Sequence, residues 1–183
     1  AALYARAGEG SLLEAGKEGK ELSYNNLLDL EAAVTLVWRF EAASCVIVKH
    51  SQPCGVASAA SLAEACALAL ASDPLSAFGG IVAFNRVLDR ETADQLASQF
   101  IECIAAPDFL PAATDALAAK KNLRLVRLTA RDLDCPDPWR VRPVGRRALL
   151  QSGGAGEPPP WRQVTRRAPS DRESRGHAFA WAV

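Results

Sequence analysis

Gly80-Ile81-Val82-Ala83-Phe84, then Asp89 with the run Glu91 to Ser98, then Phe100-Ile101-Glu102-Cys103-Ile104-Ala105, is the stretch whose reading decides the fold. A short continuous apolar run, a helical segment and a second apolar run make one strand–helix–strand unit. Glu91 falls in the first helical turn, where the macrodipole favours an acid. The alternation continues outward in both directions. Downstream, Ala112 to Lys121 reads as a helix and Leu123-Arg124-Leu125-Val126-Arg127-Leu128 as a strand. Upstream, Ser44-Cys45-Val46-Ile47-Val48 is an apolar run of the kind buried in a parallel sheet. Ser61-Leu62-Ala63-Glu64 has the pattern of a capping box opening an alanine-rich helix to about Ala71. Leu27, Leu30, Val34, Val37 and Trp38 recur at helical spacing after the turn-prone Asn25-Asn26. Repeated units of this kind predict an α/β fold with a mostly parallel sheet covered by helices.

The chain of 183 residues has about one domain's length, enough to bury roughly 70% of its unfolded surface. Its 21 basic and 21 acidic residues cancel, so no global field recruits nucleic acid or a membrane. Cys45, Cys54, Cys66, Cys103 and Cys135 form an odd, dispersed set without a Cys-x-x-Cys, which reads as reduced thiols of a cytoplasmic protein. No leading apolar segment and no apolar run near ~18 residues is present, so neither a signal peptide nor a span is expected. The absence of any Met suggests a chain that begins inside a larger polypeptide.

Past Asp132 the pattern changes. Pro136, Pro138, Pro143 and Pro158-Pro159-Pro160 interrupt any long element, and arginines outnumber nearby acids. Gly153-Gly154-Ala155-Gly156 imitates a phosphate loop, but no Gly-Lys-Ser/Thr follows and no strong strand precedes it. A flexible linker within an arginine-rich, poorly ordered tail is the expectation.

Three places offer chemistry. Lys49-His50 follow the Cys45–Val48 run, and ligands collect beyond the carboxyl ends of strands in parallel α/β sheets. The following Pro53-Cys54-Gly55 reads as a restricted turn. His suits proton transfer near neutrality, and a Lys beside it can stabilise developing negative charge. The same dipeptide also fits a solvated corner. Asp73-Pro74-Leu75-Ser76-Ala77-Phe78-Gly79-Gly80 is the second: paired glycines permit close backbone approach to a ligand and Ser76 offers a hydroxyl, or the segment is simply a tight turn. Glu102 is the third, a carboxylate inside an apolar strand that must meet either a structural partner or a ligand. Metal is not expected. His50 and His177 are the only histidines, and His50-Ser51-Gln52-Pro53-Cys54 lacks the acid and second Cys of a zinc deaminase. Cys54 as a nucleophile with His50 as base is a further option.

Several ordered motifs carry a resemblance. Leu22-Ser23-Tyr24-Asn25-Asn26-Leu27-Leu28-Asp29, Val46-Ile47-Val48-Lys49-His50 with Pro53-Cys54-Gly55, and Asp73-Pro74 with Ser76-Ala77-Phe78-Gly79-Gly80-Ile81 are similar to one family. Phe84-Asn85-Arg86, Ile104-Ala105-Ala106-Pro107-Asp108-Phe109 and Lys120-Lys121-Asn122-Leu123-Arg124 continue the likeness. Later echoes are Val164-Thr165-Arg166-Arg167-Ala168-Pro169 and Phe179-Ala180-Trp181. The chain resembles the transformylase half of the bifunctional enzymes that fuse 5-aminoimidazole-4-carboxamide ribonucleotide (AICAR) formyltransferase to IMP cyclohydrolase.

The resemblance implies transfer of formyl from 10-formyltetrahydrofolate, as cosubstrate and without a metal, to the 5-amino group of AICAR. It implies His50 as base, Lys49 as its transition-state partner, and Gly79 and Glu102 as nucleotide contacts, with Cys54 reduced to a structural neighbour. It implies a cytidine-deaminase-like three-layer α/β/α unit, here incomplete, and active sites formed between the subunits of a homodimer. On this reading residues 1–22 are an incomplete edge, 23–130 the core, and 131–183 the Pro/Arg-rich part of a truncated domain. Gln52 stands where the family usually has Asn. Ser174-Arg175-Gly176 replaces a leucine-bearing helix, so the tail is not expected to pack. Because flanking motifs of the family are missing, the chain is expected to be inactive alone. The alternative reading is a non-catalytic dimerisation or interaction module derived from that domain.

Overall fold

The computed structural model describes residues 17–129, 139–152 and 160–183. The Gly153–Gly156 stretch and Cys135 lie outside the described residues. The chain divides into two compact units, Ala1–Asp134 and Cys135–Val183.

The first unit is built on a six-stranded sheet of β1 (Lys17–Glu18), β2 (Ala43–Lys49), β3 (Gln52–Ala59), β4 (Ile81–Phe84), β5 (Cys103–Ala106) and β6 (Arg124–Arg127), in the order β1-β6-β5-β4-β2-β3. β4, β5 and β6 are parallel neighbours, β2 runs against both β3 and β4, and β1 runs against β6. β3 to β6 thus share one direction, which gives the mostly parallel α/β sheet expected from the repeated units.

Strand alternation sends side chains to two separate cores. Cys45, Ile47, Val82, Phe84, Ile104 and Leu125 point to one face, where they meet α2 (Leu62–Ser72), α4 (Arg90–Ala97) and α5 (Pro111–Leu117). Val46, Val48, Ile81, Ala83, Cys103 and Val126 point to the other, against Leu30, Ala33, Val34 and Val37 of α1 (Tyr24–Val37). These central strands are buried on both faces, which is why they read as unbroken apolar runs. A short α3 (Pro74–Ala77) leads into β4.

Helix starts follow their caps. The Asn pair expected to precede α1 instead lies in its first turn. Ser23 Oγ accepts from Asn26 N at 3.1 Å while Asn26 Oδ1 accepts from Ser23 N at 3.0 Å, a reciprocal box that uses the turn-prone residue as its partner. Ser61 accepts from Glu64 N at 3.2 Å and Asp89 from Thr92 N at 2.8 Å, so both act as N-caps. The Glu64 side chain does not return the bond that would complete the capping box read at Ser61.

The segment Gln52–Ala59, read as a turn at Pro53-Cys54-Gly55, is a strand. β2 and β3 form a hairpin whose loop is only His50-Ser51. Pro53 is tolerated because β3 is the edge of the sheet, where a missing N–H breaks no second ladder. The register passes from Ile47↔Gly55 to Val48↔Pro53, so Cys54 is the extra residue of a β-bulge. Gly55 marks close approach: a Cβ there would run into the Ala69 carbonyl of α2.

In the second unit, β7 (Trp139–Val144) and β8 (Arg147–Ser152) pair antiparallel around Gly145. A helix follows at Asp171–Ala182, opened by a Ser170–Glu173 capping box and braced by the Arg167–Glu173 ion pair at 2.7 Å. None of its residues is buried. Among the described residues no helix is long and apolar enough to cross a membrane.

Replacing Gly55 with Ala is expected to destabilise the first unit by about 1–3 kcal/mol, because α2 must move off the sheet. Denaturant midpoints of the two proteins at equal m-value will measure it.

Candidate active site

The sheet register aligns residues far apart in sequence. Val48 pairs with Ile81, Ile81 with Cys103, and Cys103 with Arg124. That cross-sheet row brings the residues flanking it to one rim: Lys49 after Val48, Gly79-Gly80 before Ile81, and Glu102 before Cys103. Adjacent strands lie about 4.8 Å apart, so these groups are neighbours. The carboxyl-end rule for parallel strands does not describe this rim. β2 is antiparallel, and its carboxyl end meets the amino ends of β4, β5 and β6. Glu102, expected inside a strand, stands immediately before β5 for the same reason: the ladder begins at Cys103.

Lys49 Nζ donates to the Phe78 carbonyl at 2.6 Å, which holds the ammonium beside the Phe78–Gly79 peptide. Gly79 has φ +74° and donates its N–H to Phe100 O at 2.7 Å. Glycine enters this left-handed region without steric cost. A Cβ would also press on the Phe100 ring at 3.3 Å. The segment is thus a tight turn whose close approach is to Phe100. The Ser76 hydroxyl, by contrast, is engaged. It donates to Asp73 Oδ2 at 2.6 Å while Ser76 N donates to Oδ1 at 2.9 Å, bonds that hold the Asp73 carboxyl below the usual carboxylate range.

Glu102 meets the structural partners that a carboxylate in an apolar setting requires. Its Oε2 accepts from Asn26 Nδ2 at 2.9 Å and lies 3.5 Å from Arg124 Nη1. Arg124 is itself anchored, donating through Nε to Glu21 O at 3.0 Å and through Nη1 to Glu102 O at 3.3 Å. The contacts of Glu102 with Asn26 and Arg124 both fall on Oε2, and the side chain is 39% exposed.

His50 and Ser51 both have positive φ, 56° and 60°. Asp29 meets them from α1: His50 N donates to Oδ2 at 3.3 Å and Ser51 N to Oδ1 at 2.6 Å. The exposed His50, with Asn25, Leu28, Asp29 and Ser51, lines a shallow depression of about 180 Å³. Asn26, Asp29 and Arg124 are contributors that sequence reasoning left without a role.

Cys54 is half-buried and its Sγ contacts Ile47 O at 3.5 Å. Burial, then the negative Asp73, push its thiol up, which opposes a nucleophilic thiolate. Cys103 is pushed up to about 12 by burial, and Cys45 is raised by burial and by Cys66. Among the described residues no cluster of His, Cys, Asp or Glu is arranged to hold a metal ion.

Residues 1–183 match the family described as AICARFT/IMPCHase bienzyme. The chain is 43% identical over 187 residues to the bifunctional purine biosynthesis protein PurH of Desulfitobacterium hafniense (strain DSM 10664 / DCB-2), covering 100% of this chain and 36% of that protein. It is 46% identical over 179 residues to PurH of Anaeromyxobacter sp. (strain K), covering 91% of this chain and 33% of that one. PurH of Myxococcus xanthus (strain DK1622) is 45% identical over 172 residues, at 91% and 34% coverage. The chain thus spans about a third of the length of these relatives. Among solved structures, Acinetobacter baumannii RibD, form 1, matches 60% of this chain and 35% of that chain, at TM-score 0.41 and 16% identity.

Iodoacetamide should modify Cys54 more slowly at pH 8 than it modifies a free cysteine peptide, by severalfold. The raised thiol pKa keeps it protonated there, so the rate should climb only as pH passes the ordinary thiol value. Mass-spectrometric alkylation rates from pH 7 to 10 will check the order.

Proposed function

Because the chain belongs to the AICARFT/IMPCHase bienzyme family, we propose that it forms the core of the AICAR formyltransferase domain of a bifunctional purine-biosynthetic enzyme. The formyl donor is 10-formyltetrahydrofolate and the acceptor is the 5-amino group of AICAR. The observation that carries this reading is the convergence of Lys49, Gly79 and Glu102 on one sheet rim, with His50 in the adjoining loop.

The acceptor amine is a poor nucleophile, because its lone pair is drawn into the ring and the carboxamide. In the proposed step its nitrogen attacks the formyl carbon, and the bond from that carbon to folate N10 breaks. His50 takes the proton released by the amine, and N10 gains one as tetrahydrofolate leaves. Lys49, tied to the Phe78 carbonyl, presents a fixed positive charge to the oxyanion that develops on the formyl group. Glu102, whose side chain is 39% exposed, accepts from a donor group of the nucleotide, and the Gly79 turn lets that nucleotide approach the backbone.

The reading extends to a cytoplasmic homodimer. Formyl transfer by the 183 residues alone is not part of the proposal, since the relatives are about three times as long. Cyclohydrolase activity is proposed only for the larger bifunctional polypeptide.

Calorimetric titration with AICAR tests the site directly. The chain is expected to bind AICAR, and Glu102→Ala or His50→Ala to weaken binding by about tenfold or more, the scale of losing a charged or imidazole hydrogen bond. A folded wild-type chain blind to AICAR sinks the reading. Vigorous AICAR-dependent deformylation of 10-formyltetrahydrofolate by the chain alone would instead overturn its dependence on further segments.

A further inference from the structure

We propose that Asp29 is a positioning residue for His50, its carboxylate holding the His50-Ser51 loop in the left-handed conformation from which the imidazole is presented. The inference rests on the reading of His50 as a substrate-contacting base.

Two-residue hairpin loops with positive φ at both positions are normally made of Asn-Gly, Asp-Gly or Gly-Gly. Here His50 (φ 56°) and Ser51 (φ 60°) stand in their place. Both carry a Cβ, which the left-handed region crowds against the following carbonyl oxygen. The loop therefore needs support that glycine would make unnecessary. Asp29 supplies it with one oxygen for each amide, at 3.3 Å to His50 N and 2.6 Å to Ser51 N. Amide bonds to a carboxylate are charge-assisted and stronger than neutral ones.

The placement of Asp29 adds a second argument. It stands one helical turn after Asn26, whose amide holds Glu102 at 2.9 Å. One face of α1 thereby fixes both the loop of the base and the carboxylate that meets the nucleotide. The helix acts as a gauge between them. A role confined to hairpin stability would not need the gauge, whereas a role in aiming His50 does.

The experiment uses the whole chain and four variants: Asp29→Asn, Asp29→Asn/Ser51→Gly, His50→Ala and Asp29→Asn/His50→Ala. Hydrogen exchange of the residue-50 and residue-51 amides, the His50 ring resonances and AICAR affinity are followed by NMR. Asp29→Asn should speed exchange at both amides by about tenfold and weaken AICAR about as much as His50→Ala does. Adding Ser51→Gly should restore part of the affinity, because glycine enters the left-handed region freely. Once His50 is Ala, Asp29→Asn should cost nothing further in affinity. Unchanged exchange in Asp29→Asn, or the same loss of affinity in the His50→Ala background, overturns the inference. Should Asp29→Asn fail to fold, the Asp29→Asn/Ser51→Gly protein carries the same comparison. A wild-type chain whose His50 resonances ignore AICAR refutes the functional reading, and the positioning role falls with it. That failure is distinct from a wild type that responds while the cycle proves additive.

Discussion

Where β2 lies against β4, Val48 faces Ile81 and Cys45 faces Phe84 in an antiparallel ladder, and the chemistry available to the molecule follows from that direction. Were β2 parallel to β4, its carboxyl end would sit at the opposite rim, with Asn85 and Asp108. The antiparallel ladder instead carries Lys49 to the side where β4, β5 and β6 begin. Residues from four separate strands then share one rim. Apolar burial on both faces keeps the arrangement in register, because a one-residue slip would exchange Ile47 for Val48 between two cores that are each filled.

The polar part of the rim is organised by α1. A helix packed only through Leu30, Ala33, Val34 and Val37 could slide along the sheet at modest cost. Asn26 and Asp29 remove that freedom, since each is bonded to a specific group at the rim. Arg124, with a side chain only 11% exposed, completes the frame behind Glu102. A buried guanidinium requires a partner, and Glu102 with the Glu21 carbonyl satisfies it. The same carboxylate also ties α1 to the sheet, through Asn26.

Much of this was legible from the residues. The strands β2, β4 and β5 announced themselves as apolar runs because they are buried on two faces, β6 as a further strand after a helix, and Ser61 and Asp89 marked the helices they cap. β3 did not, because Pro53 and Gly55 are turn formers by propensity, and only their place on a sheet edge beneath α2 makes a strand of them. The direction of β2 was likewise hidden: two residues, His50 and Ser51, make a hairpin loop by taking left-handed angles without the Asn-Gly, Asp-Gly or Gly-Gly pair that usually marks such a loop. Lys49, His50, Gly79 and Glu102 were visible as candidates by chemical type, yet spacing could not tell a solvated corner from a site. The long-range bonds of Asn26 and Arg124 to Glu102 arise from tertiary register and leave no mark in local sequence.

The bulge at Cys54 and the proline beside it also bear on how this molecule behaves among copies of itself. Among the described residues no strand pairs with the outer side of β3, and such an edge is a template for strands of other chains. Pro53 withholds a donor and Cys54 breaks the spacing of the ladder, so an incoming strand finds regular backbone only from Gly55 to Ala59. That is a short purchase for a foreign strand. The same irregularity that lets β3 close onto the His50 loop therefore shields a folded domain from edge-to-edge aggregation, a protection built into the backbone rather than into surface charge.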